Sequence, residues 1–230
     1  MSMQERMSYS LIKKAYAKQK RNPVITASTL RLQVPAASAK TTYTFPILQG
    51  DEQTVYNEQI LLNRADAFTA TSMGLFIGGL TSTGTGDTTQ TYPLYSYPSL
   101  AVNTAFTSPT ANVLFYNSKI NIAINNVQYL QNFDTFRSYN AGFDQQGRTT
   151  VGGTLTPALS NLTGQYDSVN GKDDGFVAIT PTLQFSGTSK IDISIVMPSS
   201  LTVANSSTAQ PIIILIFRGF LSLGASNLNK

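Results

Sequence analysis

Any chemistry in this chain has to be done without histidine, cysteine or tryptophan, because the sequence contains none of them. Their absence removes imidazole acid–base catalysis, thiol nucleophiles, Cys/His zinc sites and disulfides together. Carboxylates, lysines, tyrosines and serines remain. Asp66, Asp134, Asp144 and Glu58 are of the right type for a carbohydrate-processing enzyme. Such an enzyme needs two carboxylates about 5–10 Å apart across a groove, and no two of these share a local spacing that builds the pair. Asp167, Asp173 and Asp174 surround a tight-turn sequence. They lack the Asp-x-Asp-x-Asp-Gly series with its distal glutamate that a calcium loop requires, so they read as a solvated acidic turn. Gly84 and Gly86 have neither the third glycine nor the Gly-Lys-Ser/Thr of a phosphate-binding loop. On these residues no catalytic, metal or cofactor site is expected.

The cations are placed more tellingly. Residues 1–22 hold Arg6, Lys13, Lys14, Lys18, Lys20 and Arg21 against the single acid Glu5, leaving ten basic and eleven acidic residues for the rest of the chain. A basic arm is attached to a nearly neutral body, and those six side chains are the candidate contacts to phosphate, in nucleic acid or in lipid headgroups. The alternative is a solvated terminal helix. From Ser8 to Arg21 the residues are helix formers without Gly or Pro, and Pro23 stops the helix. Helical projection puts Met3, Met7, Leu11, Ile12 and Ala15 toward one side, with most of the basic residues opposite.

Beyond Pro23 the hydrophobic period becomes two. Leu30, Leu32 and Val34 alternate with polar residues, as do Tyr43, Phe45 and Ile47. Further strands are expected at Thr54–Leu62 and at Ala67–Ile77, the latter closed by Gly78-Gly79, and these four strands would form the first half of a sheet pair. Val113–Tyr116 and Lys119–Ile124 read as a hairpin closed through Asn117-Ser118, with Asn125-Asn126 ending it. Phe176–Phe185, Lys190–Met197 and Pro211–Leu223 follow. The last contains Ile-Ile-Ile-Leu-Ile-Phe at 212–217. It is too short, and too interrupted by Arg218 and Gly219, to cross a bilayer as a helix, so it is expected to be a central strand buried on both faces. Phe176–Phe185 and Lys190–Met197 are its candidate partners. Long loops are expected at 80–112, rich in Thr, Ser and Gly, and at 129–175, where Phe133, Phe136, Tyr139 and Phe143 sit among polar residues.

The expected fold is therefore all-β: an antiparallel jelly roll or β-sandwich of about eight to ten strands spanning 23–230, preceded by a short helical arm at 1–22. Charged residues make up only 12% of the chain, and Ser, Thr, Asn and Gln fill most polar positions. The N-terminus lacks the apolar region of a secretory signal, so export by that route is not expected, and the sequons Asn161-Leu-Thr163 and Asn205-Ser-Ser207 read as chance.

The basic arm, the Cys-free neutral β body, the polar loops and the final hydrophobic strand together resemble the jelly-roll coat proteins of non-tailed icosahedral viruses. The segments Glu58-Gln-Ile-Leu-Leu-Asn-Arg-Ala-Asp-Ala-Phe68 and Asn112-Val-Leu-Phe-Tyr-Asn-Ser-Lys-Ile120 look most like capsid proteins of small phages of Bacteroidetes-type hosts. The likeness covers most of the chain loosely. It implies a virion subunit made in the host cytoplasm, without catalysis or cofactor. Such a subunit would assemble with itself through trimers or pentamers, contact other virion proteins, and turn its arm toward packaged nucleic acid or an internal membrane. Double-barrel coats of this kind usually need more residues, which favours one jelly roll over two minimal barrels. A receptor-binding spike or fibre-type virion protein is the alternative, and would usually dispense with the basic arm.

Overall fold

The computed structural model describes residues 3–18, 22–52, 58–82, 88–90, 115, 117–138, 148–151, 154–157, 175–200 and 209–226. Helix α1 (Met3–Lys18) is followed by β1 (Ile25–Pro35), β2 (Thr42–Phe45), β3 (Ala67–Ser82), β4 (Thr88–Gln90), β5 (Lys119–Ile124) and β6 (Val127–Asp134). After a short 3-10 turn at Thr135–Ser138 come β7 (Arg148–Val151), β8 (Thr154–Pro157), β9 (Phe176–Ser186), β10 (Ile191–Val196) and β11 (Ala209–Ser222).

Two antiparallel sheets carry the fold. One runs β1-β11-β3-β4, with β9 also paired to β3; the other runs β2-β10-β5-β6. A separate hairpin joins β7 to β8. The pairing is nested: β5 meets β6, β3 meets β9, β2 meets β10 and β1 meets β11. The chain thus forms one long antiparallel ribbon that turns back between β5 and β6, then rolls so that β11 meets β3 and β10 meets β5. That winding is a jelly roll, the expected fold class.

The core lies between the sheets. Leu30, Leu32, Phe68, Met73, Leu75, Ile77, Ile213, Leu215 and Phe217 point in from the larger sheet, and Tyr43, Phe45, Ile120, Ile122, Ile193 and Ile195 from the smaller. Phe185 and Phe217 meet edge-on at 5.2 Å. Tyr43 is fully buried, and its hydroxyl donates to the Ala37 carbonyl at 2.9 Å. Burial pushes its pKa up, partly offset by the Ala37 N–H, which donates to the same hydroxyl at 3.3 Å.

β11 is the central strand, buried on both faces as expected. Ile213, Leu215 and Phe217 enter the core, while Ile212, Ile214 and Ile216 pack outside with Phe76 and Phe176. Its partners are β1 and β3, however, and neither expected neighbour is adjacent: β9 lies one strand further away and β10 belongs to the opposite sheet. The four N-terminal segments do not make half of a sheet pair either. β1 and β3 flank β11, β2 lies in the other sheet, and of the expected strand at Thr54–Leu62 only two isolated bridges appear, Ile60 to Arg31 and Leu62 to Leu48. Residues 53–57 lie outside the described set. Those bridges have a use: Ile60 gives and takes hydrogen bonds with Arg31 along the exposed edge of β1.

Gly78-Gly79 does not close β3, which continues to Ser82. A Cβ at Gly78 would stand 3.0 Å from the Ile214 side chain and 3.3 Å from that of Ile212, so the glycine leaves room for both isoleucines. Of the strand expected at Val113–Tyr116 only Phe115 is among the described residues, so the expected hairpin through Asn117-Ser118 lies outside them. Thr135 Oγ1 donates to the carbonyls of Phe115 and Ser118, tying that segment to the 3-10 turn. The hairpin turn is Asn125-Asn126, with φ of 51° and 65°. Two consecutive left-handed residues match the right-handed twist of flanking strands, and asparagine tolerates them. β6 therefore occupies the start of the region expected to be a loop at 129–175; the remainder, like most of 80–112, lies outside the described residues apart from β4, β7, β8 and the 3-10 turn.

This turn yields a direct expectation. Asn126→Val, which puts a β-branched residue at positive φ, should cost about 1–2 kcal/mol, a Tm drop of roughly 2–8 °C. Asn126→Gly should hold or raise Tm, and equal melting of the two variants would contradict the turn geometry.

Candidate functional site

The basic arm is largely visible as α1, which lies on the outer face of the five-stranded sheet. Ile12 and Tyr16, one turn apart, are buried against Ala67, Phe220 and Ala225, and Ser8, one turn earlier, is buried on the same side of the helix. The Tyr9 and Phe220 rings meet at a tilt of 55°, with centroids 5.7 Å apart. The expected apolar side is thereby split. Ile12 faces the sheet, but Met7 and Leu11 point to solvent at 60% and 64% exposure, and Ala15 is exposed as well. The side chain of Met3 is outside the described residues. The reason is contact area: two tyrosine rings cover more of Phe220 and its neighbours than thioethers would, a preference that a projection ranking tyrosine as polar does not show.

Arg6, Lys13, Lys14 and Lys18 are all exposed, while Lys20 and Arg21 lie outside the described residues. At 3.6 residues per turn, Lys14, Lys18, Met7 and Leu11 fall within about 60° of one another, with Arg6 and Lys13 together along one flank. The structure thus brings four of the six candidate cations onto the solvent side of a docked helix and interleaves them with two apolar side chains.

A shallow depression on the same sheet face is lined by Ser28, Thr29, Thr71, Arg218, Gly219 and Phe220. It exists because β3 carries one extra residue, Thr71, opposite the Arg218–Gly219 step of β11. The Arg218 guanidinium sits 3.5 Å from the centroid of the Phe176 ring, and Thr71 Oγ1 donates to the Arg218 carbonyl at 3.1 Å. Sequence reasoning missed this bulge. Its trace was the Arg-Gly pair inside a run of isoleucines, read there only as an argument against a membrane span.

Among the described residues, the carboxylates considered for catalysis hold structure. Asp66 Oδ1 accepts from the Gly224 N–H at 2.8 Å, and Asp134 Oδ1 from the Phe136 N–H at 3.0 Å, where it caps the 3-10 turn. Glu58 faces Arg31. Burial holds the Arg31 guanidinium below its usual pKa, with Glu58 partly restoring it. The Gln33 amide, oriented to suit both partners, accepts from Arg31 Nε at 3.0 Å and Nη2 at 2.9 Å. Asp134 pairs across from Lys119 at the start of β5. The Asp66 loop joins Gly187 near the other end, where Asn125 meets Lys190. Six strand residues separate those ends, about 20 Å, too far for two carboxylates to share a glycosidic bond. Asp144, Gly84, Gly86, Asp167, Asp173, Asp174 and both sequons fall outside the described residues. The ion pairs Arg64–Asp51 and Lys190–Asp192 are solvent-exposed and contribute little.

A scan of the chain against protein-family models finds no match, and comparison with curated proteins finds none either. Among the described residues, no helix is long and apolar enough to cross a membrane.

Proposed function

We propose that the chain is a structural virion protein, a capsid subunit that assembles with copies of itself into a closed icosahedral shell, most directly through trimers or pentamers. The observation that carries this reading is the nested winding of a jelly roll that bears a basic helix on one sheet face. Jelly rolls also serve lectins and cupins, and the basic arm tips the reading toward a shell with an interior to face. The other sheet supports it. Apart from Lys119 and Asp192, its outer positions on β2, β5 and β10 are Thr42, Thr44, Asn121, Ala123, Ser194 and Val196, uncharged residues that desolvate against a neighbouring subunit at little cost.

Sedimentation velocity with negative-stain imaging of the full chain at micromolar concentration tests it. Trimers, pentamers or shells are the expected result. A species that stays monomeric at high concentration in low and high salt would overturn the proposal, as would glycan turnover that Asp66→Asn or Asp134→Asn abolishes.

A further inference from the structure

We infer that the solvent face of α1 is a docking surface for an anionic lipid bilayer rather than for nucleic acid. The inference rests on the shell reading for which side of the subunit turns inward, and names the partner of that side. The helix has already buried one stripe, Ser8, Ile12 and Tyr16, with Ile12 and Tyr16 against the sheet. What it presents outward is a second, mixed stripe in which Met7 and Leu11 stand among Lys14 and Lys18, flanked by Arg6 and Lys13. A purely phosphate-binding face gains nothing from long aliphatic side chains held in water, and nucleobases are met by aromatic rings or arginine planes. The aromatic residues of α1, Tyr9 and Tyr16, are instead turned inward against the sheet.

An anionic bilayer surface rewards both halves of the stripe. Met7 and Leu11 enter the boundary between headgroups and acyl chains, while the lysines and Arg6 remain at the phosphates. The sheet fixes the helix parallel to that surface, so no folding has to accompany binding. One helix gives weak affinity, with about fivefold per cation and about tenfold for Leu11. An assembly presenting many copies multiplies it through effective concentration.

The test is flotation of the full chain with vesicles of phosphatidylcholine and phosphatidylglycerol at 3:1, with pure phosphatidylcholine vesicles and a single-stranded DNA oligonucleotide as the other probes. Oligomeric state is measured in parallel. Binding to the anionic vesicles is expected, with a residue that survives high salt. The double variant Met7→Ser/Leu11→Ser should lose that residue and at least tenfold in affinity. Lys14→Gln/Lys18→Gln should weaken binding at low salt about 25-fold and leave the salt-resistant part. All four side chains are exposed, so both variants should melt with the wild type. Vesicle binding unchanged by Met7→Ser/Leu11→Ser would overturn the inference. So would DNA binding whose log K falls against log salt, with a slope up to about −0.7 per cation engaged, in a protein that ignores vesicles. If oligomers form without vesicle binding, the lipid inference falls and the shell reading stands. Vesicle binding by a strict monomer does the reverse.

Discussion

Ile214→Asp is expected to yield no soluble folded protein. Ile214 is fully buried on the outer face of β11, between strands β1 and β3, and packs with Ile212, Ile216, Phe76 and Phe176. An aspartate there would bury a carboxylate beside purely apolar neighbours, costing several kcal/mol against a total stability of about 5–15 kcal/mol for a domain. Leu215→Ala, one residue on and facing the core, removes only contacts and leaves a cavity, so it should cost about 2–5 kcal/mol and still fold. Expression, solubility and thermal melting of the two variants separate these outcomes. A soluble Ile214→Asp protein with unchanged Tm would show that the outer face of β11 is not packed.

The second large effect is expected from a single methyl group. A Cβ on Gly219 would stand 1.9 Å from the Thr69 carbonyl oxygen and 2.9 Å from its carbon, both backbone atoms of β3. Side chains can turn away from such a contact, whereas a paired strand cannot without breaking the ladder on either side of the bulge. Gly219→Ala should therefore cost about 3 kcal/mol or more. Gly224→Ala provides the contrast. Gly224 has a φ of +66° and nothing within 4 Å of an added Cβ, so only backbone strain of about 1–2 kcal/mol is expected. Denaturant melts giving equal losses for the two would mean that β11 does not approach β3 at the bulge as described.

Much of the fold was legible because period-two alternation is a local signal. Leu30, Leu32 and Val34, and likewise Ile120, Ile122 and Ile124, became the inward faces of strands, and the isoleucine run became the central one. The candidate cations were legible by composition alone, and Arg6, Lys13, Lys14 and Lys18 lie in a helix as expected. Asn125-Asn126 ends β5 as expected, but that it also turns the chain into β6 was not legible, because two consecutive asparagines mark a strand end and a tight turn equally well; what distinguishes them is whether the following residues pair backward. Val127–Asp134, with exposed Val127 and Tyr129 and a left-handed Asn132, has too irregular a pattern to announce itself as a strand without β5 beside it.

By itself the sequence determined the class of the protein: an all-β body with a near-neutral surface and a basic helical arm, without thiol or imidazole chemistry. These follow from residue counts and short-range periodicity. Which strands pair was decided only in three dimensions, because a strand's alternation says which side is buried and nothing about its neighbour. The placing of β1 and β3 around β11 depends on nested contacts between residues up to about two hundred positions apart. The orientation of α1 was settled in the same way. Its sequence offers two partly apolar stripes, and the sheet selected Ile12 and Tyr16 because Phe220 and Ala67 present a surface that those side chains fit, leaving Met7 and Leu11 outside among the lysines.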